Sequence, residues 1–177
     1  MNYIEIQILK LINTSINCAA ADTIFKFISL LGNKGILWII LTLILLISPK
    51  SRKAGICSAI SLIICLFLGN MILKPLFGRI RPYDFDPAIM TIIPHLHDPS
   101  FPSGHTMAAF AFASSVSSFY KKSRPYLYGS AVLMGVSRVY LYMHYPTDVL
   151  FGALFGMCFG AVSIKIYERI IKKCNHL

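Results

Sequence analysis

Residues 54–82 read AGICSAISLIICLFLGNMILKPLFGRIRP: a long run without a charge, followed at once by Lys74, Arg79 and Arg81. At about 1.5 Å per residue the run 54–73 rises roughly 30 Å as a helix, the thickness of a bilayer's hydrocarbon core. It therefore reads as a membrane span that delivers a group of cations to one surface. Residues 35–48 (GILWIILTLILLIS) are as apolar but shorter, about 21 Å of helix, so this span is expected to extend backward through Leu30 and Leu31. Residues 104–120, 125–143 and 147–167 are three further candidate spans. Residues 4–31 mix Ile4, Ile6, Ile8 and Leu9 with Lys10, Asn13, Asn17, Asp22 and Lys26, and read as one or two helices only partly in the bilayer. Between the spans, Pro75 to Phe101 is the longest polar loop, too irregular and proline-rich to cross a membrane.

Composition agrees. Of 177 residues, 56% are hydrophobic and only 14% charged, against about 25% charged in a soluble domain. The net charge of +10 is placed unlike a nucleic-acid footprint. It gathers in short clusters at the ends of apolar runs: Lys50, Arg52 and Lys53; Lys121, Lys122 and Arg124; Lys165, Arg169, Lys172 and Lys173. That is the signature of loops kept in the cytoplasm, against anionic lipid head groups. No nucleic-acid partner and no obligate protein partner is implied. The first residues lack the basic start and cleavage site of a secretory signal, so the first span would direct insertion itself. The five cysteines lack metal or redox spacing, and Cys57, Cys65 and Cys158 read as small packing residues. The chain reads as one membrane-embedded domain, 1–177, with an interfacial or first spanning segment over 1–31 and a helical core over 35–167.

Three short runs sit at span ends. The first is Lys74 to Arg81-Pro82. The second is Pro102-Ser103-Gly104-His105. The third is Ser137-Arg138, five residues, His144, three residues, Asp148. If each helix crosses once, all three fall on one face and all the basic clusters on the other, which places the runs outside the cell. Lys74, Arg81 and Arg138 supply cations suited to phosphate oxygens, while Arg79 fits interfacial snorkelling. Ser103 can cap the helix that Gly104 opens, and a helix N-terminus with glycine lets an oxyanion approach backbone N–H groups. Asp148, four residues after His144, can reach back to a ring nitrogen and leave the other free to attack phosphorus. His105 can protonate the leaving oxygen. His176 lies in the tail, away from these groups. His95, His97 and Asp98 form a weak metal-site pattern, better read as loop polarity.

Together the three runs resemble the signature of the type 2 phosphatidic acid phosphatase family, membrane lipid phosphatases similar in their active site to bacterial acid phosphatases and vanadium haloperoxidases. The resemblance implies that His144 is the nucleophile, Asp148 its partner and His105 the acid. It implies that Lys74, Arg81, Ser103, Gly104 and Arg138 bind the phosphate, with no metal or cofactor required. It implies an all-α, polytopic membrane bundle of about six helices with the active site at one membrane face. The small size looks like that of the bacterial, cell-membrane members. Undecaprenyl diphosphate is the favoured substrate, with phosphatidylglycerol phosphate and phosphatidic acid as rivals. Two other readings stay open: a lipid-phosphate binding or transport protein that has kept the fold, and a phosphotransferase.

Overall fold

The computed structural model describes residues 2–16 and 18–174; Asn17 and His176 lie outside them. The helices are α1 (Asn2–Ile16), α2 (Ala19–Leu31), α3 (Ile36–Ile47), α4 (Arg52–Ile64), α5 (Lys74–Phe77), α6 (Pro82–Phe85), α7 (Gly104–Ser117), α8 (Arg124–Tyr140) and α9 (Pro146–Cys174), with a π-helical stretch, Cys65–Leu73, joining α4 to α5. No strand occurs among the described residues. Seven of these helices are long, where about six were expected.

The spans also differ from expectation. Two helical segments are long and apolar enough to cross a membrane, 52–85 and 146–173, and α2 with α3, bent by 43° at the break between them, makes up to a third. Over the expected spans 104–120 and 125–143, α7 has 14 residues and α8 has 17, about 21 and 26 Å of rise. From Thr106 to Ser117 α7 is almost wholly buried, packed chiefly on α9 and then on α8 and α4. It is a central helix rather than a lipid-facing one. Its buried hydroxyls bond back to the helix, as from Ser115 Oγ to Ala111 O at 2.9 Å. Gly152, Gly156 and Gly160 of α9 lie against it, and a Cβ at Gly152 would stand 2.8 Å from Ser103 O. Such small residues every four positions allow two helices to approach closely.

The outer surface is apolar. Ile36, Ile39, Ile40, Leu43, Ile44 and Ile47 of α3 are exposed, as are Leu66, Phe67, Met71 and Ile72 and, on α9, Leu150, Phe151 and Leu154. A band of that size without a protein cover is the mark of a surface solvated by lipid. Small and polar residues inside with large apolar ones outside invert the soluble pattern, and the chain is a multi-pass membrane protein. Cys57 and Cys65 are buried packing residues as expected, but Cys158 is exposed on α9, one position off the face that α9 turns to α7.

Two features position the site. Gly78, at φ +52°, ends α5 in the left-handed conformation and turns the chain into Arg79–Arg81. The N-terminal helices dock beside it. α1 buries Glu5, Ile6 and Leu9 and pairs Lys10 with Asp86 at 2.6 Å. α2 packs on α8, with Phe25 against Tyr140 and the Tyr140 hydroxyl donating to Asp22 at 2.6 Å. Ile6, Leu9, Tyr83, Tyr140, Met143 and Tyr145 form one apolar cluster.

Candidate active site

The π-helical stretch ends in the N–H of Lys74 bonding back five residues to Gly69 O, and this turn presents the Lys74 ammonium to the start of α7. A cavity of about 670 Å³ opens there. Its polar end is lined by Asn70, Lys74, Arg81, Asp98, Gly104, His105 and His144. Its other arm runs between α3 and α4 past Ile39, Leu43, Ala59, Leu62 and Leu66. One residue or more from each of the three sequence runs is therefore gathered at a single cavity, and both histidines line it.

His144 is 1% exposed and sits in the turn between α8 and α9. Arg81 Nη1 lies 3.5 Å from its Nε2. A guanidinium has donors only, so Nε2 presents its lone pair on that side and Nδ1 carries the proton. Burial, and then the charges of Arg81, Arg138 and Lys74, hold the imidazole well below its usual range, so it is neutral at physiological pH. Nδ1 faces the Ser100 hydroxyl at 3.4 Å, and that hydroxyl donates to Asp148 Oδ2 at 2.5 Å. The direct His144–Asp148 bond expected from the four-residue spacing is absent: Nδ1 and Oδ2 are 3.6 Å apart, beyond hydrogen-bond reach. Ser100 stands between them as a relay. Asp148 is fully buried and also accepts the Tyr145 N–H at 3.0 Å.

Arg79 is not a snorkelling side chain. Its Nη1 donates to Asp148 Oδ1 at 2.5 Å and to Thr147 Oγ1 at 2.7 Å, its Nη2 pairs with Glu5, and its guanidinium lies 4.0 Å from the Tyr145 ring centre. Asp98 is likewise drawn inward. Oδ2 pairs with Lys74 Nζ, Oδ1 accepts from Arg81 Nη2 at 2.8 Å, and its backbone carbonyl accepts from Arg81 Nε at 2.8 Å. Burial raises the Asp98 pKa, but Lys74 and Arg81 outweigh it and bring it down to about 2. A carboxylate thus occupies the two cations expected to take a phosphate. His95 stacks on Tyr83 at 4.0 Å.

Arg138 is buried on α8, its Nη1 donating to Ser29 of α2, with Nε left without a protein partner. It is not among the groups lining the cavity. Ser103 stands at the N-cap position of α7 but does not cap it. Its hydroxyl bonds to Thr106 Oγ1 at 2.9 Å, so the first N–H groups of α7 at Gly104 and His105 lack a side-chain acceptor from that residue.

A family model described as the PAP2 superfamily matches residues 54–172. The chain belongs to the PAP2 superfamily. Among relatives, it is 32% identical to an undecaprenyl-diphosphatase of Sulfolobus acidocaldarius over 92% of this chain and 78% of that one. It is 31% identical to undecaprenyl-diphosphatase BcrC of Bacillus subtilis over 98% and 95%. Among solved structures, a transmembrane PAP2-type phosphatidylglycerolphosphate phosphatase from Bacillus subtilis superposes with a TM-score of 0.78 at 25% identity, over 95% of this chain and 86% of that one. The PAP2 match takes in all three runs, together with Arg79, Asp98 and Ser100, whereas α1, α2 and α3, with Glu5 and Ser29, precede it.

Proposed function

We propose that this chain is a lipid phosphatase that cleaves a phosphate monoester or diphosphate of a membrane lipid through a phosphohistidine, with undecaprenyl diphosphate as the preferred substrate. The setting of His144 carries the reading. Its Nε2 lone pair stands beside Arg81, at a cavity whose other arm is apolar, while its Nδ1 proton is backed by Ser100 and Asp148.

The lipid phosphate enters with its chain in the α3–α4 arm and its phosphoryl oxygens on Lys74, Arg81 and the N–H groups of Gly104 and His105. Asp98 leaves the two cations as the phosphate arrives. Arg138, set back from the cavity lining, adds positive charge behind the phosphate site rather than a contact to it. Nε2 of His144 then forms a bond to phosphorus. The bond from phosphorus to the leaving oxygen breaks, and that oxygen takes its electron pair and a proton from His105. The lipid alcohol departs from a monoester, and the lipid monophosphate from a diphosphate. Water next attacks phosphorus, its proton passes to His105, and the N–P bond breaks to return neutral His144. The cationic ring and the helix N-terminus stabilise the charge on the transferring group throughout.

The basic groups at the helix ends support one orientation. Lys50, Arg52 and Lys53 lie at the start of α4, Lys121, Lys122 and Arg124 at the start of α8, and Lys165, Arg169, Lys172 and Lys173 in the C-terminal third of α9. Each group is about a helix length from the site, which favours a site on the extracytoplasmic face. The preference for undecaprenyl diphosphate rests on the two nearly full-length relatives that bear that name; phosphatidylglycerol phosphate and phosphatidic acid are the alternatives. Release of inorganic phosphate from a panel of these lipids by the purified protein tests the reading, with His144→Ala as control. Wild-type release that is lost in the variant supports it. Binding of the lipids without turnover leaves a binding or transport protein, and a phosphorylated acceptor in place of free phosphate identifies a phosphotransferase.

A further inference from the structure

α1 lies wholly before the PAP2 match, yet it sends one carboxylate into the wall behind His144. Glu5 is 5% exposed. Its Oε2 pairs with Arg79, and its Oε1 accepts the Thr147 N–H at 3.2 Å and the Thr147 hydroxyl at 2.6 Å. Arg79 passes the contact on to Asp148 at 2.5 Å, Asp148 accepts from Ser100 at 2.5 Å, and Ser100 faces His144 Nδ1 at 3.4 Å. An unbroken chain of polar contacts thus runs from the first helix to the nucleophile.

The charges explain why the chain needs its outer end. When Nε2 bonds to phosphorus, the imidazole becomes cationic among Lys74, Arg81 and Arg138. The phosphoryl oxygens offset this on the Nε2 side, and negative charge on the Nδ1 side offsets it from behind the ring. Asp148 is placed there, but Arg79 in direct contact opposes its charge, and the opposition is stronger in this buried site than it would be in water. Glu5 returns the sum over Glu5, Arg79 and Asp148 to minus one.

We infer that Glu5 is a positioning residue for the phosphoryl-transfer step: it holds and neutralises Arg79, so that Asp148, through Ser100, keeps its negative charge effective behind His144. The inference rests on the phosphohistidine reading of the site. α1 is also held by Ile6 and Leu9, at most 2% exposed, and by the pairing of Lys10 with Asp86.

The test compares Glu5→Gln, Glu5→Asp and the double variant Glu5→Gln/Arg79→Gln in full-length protein, reading kcat, KM and Tm. Glutamine keeps an acceptor for Thr147 and removes the charge and the oxygen that faces Arg79. Glu5→Gln is expected to lower kcat by about tenfold or more with KM within about twofold, as for other groups acting behind a reacting side chain. The double variant, in which the charge sum is again minus one, recovers most of that loss, and Glu5→Asp stays near wild type. A double variant as slow as Glu5→Gln, or slower, overturns the inference, because a docking role predicts additive or worse loss. So does a Glu5→Gln protein with wild-type kcat. If Glu5→Gln does not fold, the double variant and Glu5→Asp decide alone: both active supports the inference, and an inactive double variant overturns it. Failure of the wild type itself to release phosphate refutes the functional reading instead, so the two failures are distinct.

Discussion

Replacing Asp98 with asparagine removes the anion that now rests on Lys74 and Arg81, and the account requires phosphate to bind more tightly as a result. Two contacts to cations and a backbone contact from Arg81 Nε hold the Asp98 segment in place. The fall of its pKa from 3.8 to about 2 corresponds to about 2.5 kcal/mol of preference for the charged form. The side chain is half exposed, so solvent screening reduces what the contact contributes to about 1 kcal/mol. An incoming phosphate must displace the carboxylate and forgoes that amount. Asp98→Asn should therefore lower the Ki of inorganic phosphate as product inhibitor about fivefold, since about 1.4 kcal/mol is tenfold. The sign with pH is fixed by the depressed pKa. The stabilisation is fully present above the unfolded carboxylate value, near 4, and is lost only as pH falls through about 2. The difference between wild type and variant should thus persist from pH 5 to 9. Steady-state phosphate release with added phosphate, confirmed by calorimetric titration of the detergent-solubilised protein, measures it. An unchanged or raised Ki in a folded variant would refute the view that Asp98 holds the place of substrate.

Three further outcomes follow from the geometry. Attack needs neutral His144 and departure needs protonated His105, so kcat should be bell-shaped in pH; because burial and the neighbouring cations depress His144, its acid limb should fall below about 6.5, the ordinary histidine value, and a flat profile with chemistry rate-limiting contradicts the two-histidine scheme. Ala59→Trp places an indole in the apolar arm of the cavity; activity on long-chain lipid phosphates should fall while that on a short water-soluble phosphate ester persists, and equal loss on both argues against a lipid chain in that arm. Gly152→Ala forces a methyl to 2.8 Å from Ser103 O at the α7–α9 contact and should cost about 1–3 kcal/mol, read as a lower Tm in detergent; an unchanged Tm shows that the helices can part there without loss.

The convergence of the three runs was legible because fixed spacings at span ends leave few ways to arrange them. Lys74, Arg81, Gly104, His105 and His144 meet at one cavity, as their positions imply. Residues lacking a periodic or spacing signal were missed. Ser100 lies in an irregular proline-rich loop, and its role depends on where that loop folds. Glu5 is one polar residue in a mixed helix, and its partners lie far along the chain. Arg79 resembles any interfacial cation until Asp148 and Glu5 are placed beside it. Asp98 has ligand chemistry beside His95 and His97, but Lys74 and Arg81 claim it first. Hydropathy likewise records that α7 avoids water but not that helices, rather than lipid, surround it.

The most direct test is to trap the intermediate. Purified protein is mixed with a lipid diphosphate labelled at the terminal phosphate, quenched within the first turnover in alkali, which preserves a phosphoramidate, and digested for peptide mapping. Label is expected on the peptide containing His144 and absent in His144→Ala. Label on another residue, or a full burst of product with no labelled protein at any time, would contradict it.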